Sequence, residues 1–153
     1  MRLDPPALIG VVADTHGELD PRIIRVFEGV DLIVHAGDVG SRRVLLDLES
    51  LAPVVAVAGN MDRGELAAIL PDRASFRIGE VLCVVVHDRA GYRFSSAGVV
   101  IAGHTHRPSI TRSHGTLHVN PGSARLSRAP SHGESVALLR VEGGRPQARI
   151  VSL

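Results

Sequence analysis

His104 and His106 stand one residue apart just beyond the apolar run Val99-Val100-Ile101-Ala102, which gives way at Gly103. Imidazoles in that position are poor packing material and good metal ligands. Other polar residues recur in the same setting. Asp14 and His16 follow Leu8-Ile9-Gly10-Val11-Val12-Ala13, Asp38 follows Leu32-Ile33-Val34-His35-Ala36-Gly37, and Asn60 follows Val54-Val55-Ala56-Val57-Ala58-Gly59. His87 closes Val81-Leu82-Cys83-Val84-Val85-Val86. Five apolar runs thus each end in a residue able to bind a metal, and in open sheets the functional crevice lies at the carboxyl ends of the strands. A single Asp or His there is ordinarily a cap; five such ends filled together point to a shared site.

The candidate ligands are Asp14, His16, Asp38, Asn60, His87, His104 and His106. A mixed imidazole and carboxylate set suits Mn, Fe, Zn, Co or Ni better than Ca. Seven donors exceed the needs of one tetrahedral ion. If Asp38 bridges, two ions each receive four ligands, and hydrolases place such pairs about 3.5 to 4 Å apart to clamp attacking and leaving oxygens. Two dications against two carboxylates leave a net positive pocket, which favours an anionic substrate such as a phosphate ester. Arg63, Arg89 and Arg107 lie close in sequence to these residues and are candidates to grip a phosphate, Arg107 foremost because it follows the His pair directly. His35 reads as a strand residue near the site; His114, His118 and His132 read as surface or turn histidines.

The elements that must position these residues follow from the pattern. Asp20-Pro21 is an N-cap and first helical position, with Ile23, Ile24 and Phe27 on one face up to Gly29. Ser41 caps a helix that turns Val44, Leu45 and Leu48 inward, and Asp62 to Pro71 reads as a short third helix. This alternation of strands and helices implies parallel pairing with right-handed crossovers. Gly79-Glu80 then signals a hairpin between Ala74–Ile78 and Val81–Val86. Ala90 to Gly98 is either a loop or a single helical turn where one more crossover helix would stand. Short strands follow at Ser109–Arg112, Thr116–Val119, Ser135–Val141 and Ala148–Leu153, with a tight turn at Asn120-Pro121-Gly122-Ser123 and an exposed, mobile loop from Ser123 to Gly133. The first half supplies a mainly parallel sheet with helices and the second half a mainly antiparallel one. Two stacked mixed β-sheets flanked by helices, an α/β sandwich, bury both sets of apolar strands.

At 153 residues the chain reads as one domain, 1–153, large enough to bury roughly two thirds of its unfolded surface. With 44% apolar and 22% charged residues and a formal net charge of +1, it has no electrostatic case for bulk nucleic-acid or membrane-surface binding. No apolar run approaches the roughly 20 residues that span a bilayer, and the first residues lack the plan of a signal peptide; a cytoplasmic location is expected. The single cysteine, Cys83, reads as a small core hydrophobe.

Asp14-x-His16, Gly37-Asp38, Gly59-Asn60, His87 and Gly103-His104-x-His106, in this order, resemble the pattern of the calcineurin-like metallophosphoesterases over nearly the whole chain. The small bacterial and archaeal phosphodiesterases are nearest in length and share the Asn120 to Ser123 turn. The resemblance implies an αββα sandwich, with Asp14, His16, Asp38 and His106 on one divalent ion and Asp38, Asn60, His87 and His104 on the other. It also implies hydrolysis of small phosphate esters, diesters foremost, by in-line attack of a bridging hydroxide, with Asp38, Asn60 and His104 nearest the reacting atoms. Mn2+ leads the candidate metals, a nucleotide is one candidate substrate, and exposed strand edges leave room for a homodimer.

Two departures stand out. Met61 occupies the position where many relatives carry a His that protonates the leaving group, and Asp88 replaces the usual Gly after His87. Asp88 could orient His87 or itself reach the metal. A second class of function is a non-catalytic metal-binding or protein-interaction module on the same fold. The filling of all seven ligand positions favours the hydrolase.

Overall fold

The computed structural model describes residues 1–125 and 132–153. In chain order the elements are β1 (Arg2–Leu3), β2 (Ala7–Val12), α1 (Pro21–Val26), β3 (Leu32–His35), α2 (Arg42–Glu49), β4 (Val54–Ala56) and α3 (Glu65–Ile69). They are followed by β5 (Arg73–Ile78), β6 (Val81–Val86), β7 (Val99–Ile101), β8 (Ser109–Ser113), β9 (Thr116–Asn120), β10 (Ser135–Glu142) and β11 (Arg145–Ser152). They form a six-stranded sheet, β1-β5-β6-β7-β9-β8, and a five-stranded sheet, β11-β10-β2-β3-β4.

The two sheets stack on a common core. Ile9, Val11, Leu32, Val34, Ala137 and Leu139 on one side meet Phe76, Cys83, Val85, Val99, Ile101, Leu117 and Val119 on the other. Burial pushes the Cys83 thiol up to about 12, which suits a core position rather than a reactive one. The other face of the five-stranded sheet packs Val12, Ile33, Val136 and Leu138 against Ile23 and Phe27 of the α1 region and Val44, Leu45 and Leu48 of α2. The outer face of the six-stranded sheet packs Val84 and Val100 against Ala97 and Phe94 of the β6–β7 connection, so an irregular segment takes the place of a crossover helix there.

The division into a parallel first half and an antiparallel second half is corrected. The carboxyl-terminal hairpin β10–β11 joins the first-half sheet, with β10 antiparallel to β2. The other sheet holds three parallel pairs, β1 with β5, β6 with β7 and β7 with β9, and only two antiparallel ones. The reason lies in β10 itself. Val136 and Leu138 face the helices while Ala137, Leu139 and Val141 face the inter-sheet core, so both faces are apolar and the strand fits only where both are covered.

Two helices are also shorter than expected. In α1 the Asp20 carboxylate accepts the Arg22 N–H as an N-cap, Ile23 and Phe27 are buried one turn apart, and Ile24 points outward at 42% exposure. The third helix runs only over Glu65–Ile69 and buries Leu66, with Ile69 exposed. Asp62 is withdrawn from it to bond backbone elsewhere, and Gly64, at φ 58, separates the two. Arg2–Leu3 is an unanticipated edge strand. Of the segment expected as an exposed, mobile loop from Ser123 to Gly133, residues 126–131 lie outside the described residues.

Candidate metal centre

Each ligand-bearing residue sits where a strand runs out, and the loops they occupy are bonded to one another. Asp14 N–H donates to Gly37 O at 3.0 Å, His16 N–H to Asp38 O at 3.1 Å and Gly17 N–H to Val39 O at 2.8 Å, which zips the β2 and β3 exits together. Gly103 N–H donates to His87 O at 3.0 Å and does the same for β6 and β7 in the facing sheet. Asp14, His16, Asp38, His104 and His106 all have positive φ, from 48° to 70°. Non-glycine residues take this left-handed backbone at a cost of roughly 1–2 kcal/mol each, and such outliers cluster at functional sites. Here the conformation turns Asp14 and His16, and His104 and His106, in from the strand ends. Gly59 has a complementary role, because a Cβ there would lie 2.1 Å from Asp38 Oδ1 and 2.2 Å from Asp38 N. Only a bare backbone lets the Asn60 loop approach Asp38.

The side chains converge. Asp14, His16 and His106 each present a ligand atom within 4.8 Å of the others, as do Asp14, Asp38 and His87. Asn60 Oδ1 lies 2.9 Å from His87 Nε2 and 3.2 Å from His104 Nδ1. The His16 and His106 rings are 5.8 Å apart and those of His87 and His104 5.1 Å, edge to face. All seven candidate ligands therefore meet at one end of the sandwich, drawn from both sheets. Asp14 belongs to both groups, whereas Asp38 is grouped with Asp14 and His87 alone, and both carboxylates are fully buried.

Their protonation shows what the cluster is suited to hold. His87 Nδ1 donates to the Ala36 carbonyl at 2.7 Å, which can only accept. In the neutral ring, Nε2 is then a lone pair, and it faces Asn60 Oδ1 and, at 3.5 Å, Asp38 Oδ2. The two acceptors that are buried, His87 Nε2 and Asp38 Oδ2, need a cation between them. Without a metal the proton takes that part: burial works against charging His87, but the Asp38 carboxylate and the Ala36 carbonyl outweigh it and raise its pKa. Burial would likewise raise Asp38, yet His87, the Met61 N–H at 2.8 Å and His16 hold it below the usual carboxylate range. The donor set, two carboxylates, imidazoles and an amide oxygen, fits divalent transition metals.

Around the ligands lies a frame of supporting bonds. Asp62, 6% exposed, accepts N–H bonds from Val39 (3.1 Å), Gly40 (2.9 Å) and Gly59 (2.8 Å), and so staples the Asp38 and Asn60 loops together. Asn120 Nδ2 donates to Gly103 O and Thr105 Oγ1 while its Oδ1 accepts the Gly122 N–H, so the Asn120 to Ser123 turn supports the His104–His106 loop. Thr15 Oγ1 donates to Val39 O, which leaves His35 Nε2–H to donate to Thr15 Oγ1 at 2.9 Å. His35 is thereby a buried, neutral support of the Asp14–His16 loop, and burial lowers its pKa to about 4.

Asp88 lies by His104, with Oδ2 3.8 Å from Nε2, and not by His87; its Oδ1 accepts the Ala90 N–H. Arg63 and Arg107 are exposed, and Arg89 lines a separate cavity of about 210 Å3 with Asp88, Thr105, His118 and Asn120. Of the histidines read as surface or turn residues, His114 is in the β8–β9 turn and His132 is exposed. His118 instead sits half-buried on β9, its Nδ1 shut off from solvent. Sequence reasoning missed Asp62 and Thr15; the available signal was an Asp three residues past Gly59, the spacing at which a short acid bonds preceding backbone.

Residues 8–144 match the family profile described as the calcineurin-like phosphoesterase superfamily domain. Among curated proteins, the chain is 37% identical to a probable metallophosphoesterase of Methanothermobacter thermautotrophicus, over 94% of this chain and 91% of that one. Among solved structures, an archaeal phosphodiesterase is 26% identical with a TM-score of 0.72, over 94% and 99% of the two chains. Vacuolar protein sorting 29 of Cryptosporidium parvum shares the fold alone: TM-score 0.77 at 18% identity, covering 95% and 97%.

Proposed function

The chain belongs to the calcineurin-like phosphoesterase superfamily, and on that premise we propose that it is a single-domain, cytoplasmic, dinuclear metal-dependent hydrolase of phosphate esters, diesters before monoesters. The observation that carries the reading is the buried meeting of lone pairs from His87 and Asp38, with exposed Asn60 at its rim, beside the Asp14, His16 and His106 group. Asp14, His16, Asp38 and His106 would hold one divalent ion and Asp38, Asn60, His87 and His104 the other, with Mn2+ the leading candidate. When bound, such a pair activates water and polarises the phosphoryl oxygens.

The chain's own residues supply the rest. The hydrogen-bonded frame holds the donors before substrate arrives, which is what an electrostatically preorganised site requires. The side chain of His104 is 36% exposed, whereas those of His87 and His106 are nearly closed off, so the substrate approaches on the His104 and Asn60 side. Arg63, Arg89 and Arg107 are all exposed and would steer an anion inward, Arg89 from the neighbouring cavity. Met61 brings a backbone N–H to Asp38 but no titratable side chain, so leaving groups that depart without a proton are favoured.

The test is direct. The purified protein should retain close to two divalent ions and hydrolyse bis(p-nitrophenyl) phosphate, and Asp38→Asn and His104→Ala should each lower kcat at least about 100-fold, the scale of losing a principal electrostatic contact. A folded, metal-replete protein with no turnover of mono- or diesters overturns the hydrolase and leaves the protein-interaction module as the better reading.

A further inference from the structure

One cavity opens directly onto the exposed side of the candidate centre. It has a volume of about 280 Å3 and is walled by Asn60, His87 and His104 on one side and by Asp72, Asp88 and Tyr92 on the other. Small-molecule sites begin at about this size, with ring surfaces and a few placed polar groups. Tyr92 is the chain's single tyrosine, in a sequence with three phenylalanines and no tryptophan. It is 40% exposed where most large apolar side chains are buried.

Its ring is not loosely held. Tyr92 stacks on Phe94 with centroids 6.0 Å apart and planes 19° from parallel. Phe94 in turn packs on the small cluster formed by Val84, Ala97 and Val100, and the Arg73 guanidinium sits 5.8 Å from its ring. One face of Tyr92 is thus occupied and braced, and the ring forms a wall of a cavity that three candidate ligands share. A braced, half-exposed ring is a low-entropy platform for a flat group.

Resting on the phosphoesterase reading, we propose that Tyr92 is a substrate-binding residue that stacks a flat heteroaromatic substituent of the ester, making nucleotide-type esters the preferred substrate class over alkyl esters. The charges of the cavity agree with this. Asp72 and Asp88 accept hydrogen bonds from amino, ring N–H or hydroxyl groups of such a substituent and repel one carrying a second phosphate. The irregular β6–β7 connection, in place of a crossover helix, is what carries Asp88 and Tyr92 to the cavity.

The test compares adenosine 5′-monophosphate with methyl phosphate on the metal-loaded protein, using Zn2+ because paramagnetic Mn2+ would itself quench fluorescence. Calorimetry should give a Kd for the nucleotide about tenfold or more below that for methyl phosphate, the scale of one base stacked on one ring. The nucleotide, and not methyl phosphate, should saturably quench the tyrosine emission, which reports on Tyr92 alone. Tyr92→Ala should remove the tenfold margin and Tyr92→Phe should keep it. Equal or undetectable binding of the two phosphates, or a margin that survives Tyr92→Ala, overturns the proposal. Turnover of bis(p-nitrophenyl) phosphate without the margin sinks the stacking site only. The margin without turnover of any ester sinks the hydrolase and leaves a nucleotide-binding site.

Discussion

Asp62 is the residue whose importance is least visible in the chain and most visible in the fold. Its carboxylate closes three backbone N–H groups from two loops that are some twenty positions apart. Removing it strands the buried Val39 N–H, at roughly 1–3 kcal/mol, and leaves the part-buried Gly40 and Gly59 N–H groups to water. Asp62→Ala should therefore lower stability by about 2 kcal/mol in urea unfolding, and Asp62→Asn by less, since its amide oxygen still accepts. If the loop frame acts as argued, metal affinity falls in parallel, because Val39 and Gly59 adjoin Asp38 and Asn60. An Asp62→Ala protein of unchanged stability would refute the staple. The seven ligands themselves were legible because they gather at the ends of five apolar runs; Asp62 reads instead as the start of a helix, and only the distance across the loops reveals its part.

Among the elements, the outcome depended on how apolar residues are distributed over the two faces of each strand. The β5–β6 hairpin, the N-caps at Asp20 and Ser41 and the parallel β2-β3-β4 unit are local features and could be read directly. The placement of β10 was not, because nothing in Ser135 to Glu142 says which sheet it joins until both of its faces must be covered. Leu139 is fully buried in the inter-sheet core beside Ile9 of β2. Leu139→Ala should cost about 2–5 kcal/mol, the range for deleting a buried leucine side chain, measured as a lower urea midpoint with an unchanged m value. A cost under 1 kcal/mol would mean that β10 is not an integral strand of the sheet that carries Asp14.

At the scale of the whole molecule, stability carries a histidine signature. His35 is buried, and its pKa is lowered from 6.5 to about 4. A depressed pKa means that the unfolded chain takes up a proton that the folded one refuses. The stabilisation is therefore complete above about pH 6.5 and is lost as pH falls toward 4, to the extent of roughly 3 kcal/mol. Metal-free protein should show this slope in urea unfolding between pH 7 and 4, and His35→Gln, which can still donate to Thr15, should flatten it. An identical slope in the variant would assign the effect to other groups. The order of apolar runs, the polar residue at the end of each, the local caps and the glycines that let loops approach were set by sequence alone, since they are short-range consequences of residue type. Which strands share a sheet, which loops touch and which faces Asp62, Tyr92 and Asp88 reach were decided only by tertiary structure. Burial of both faces of a strand, the pairing of buried backbone N–H groups and the packing of the β6–β7 connection on the outer sheet face are satisfied between segments remote in sequence.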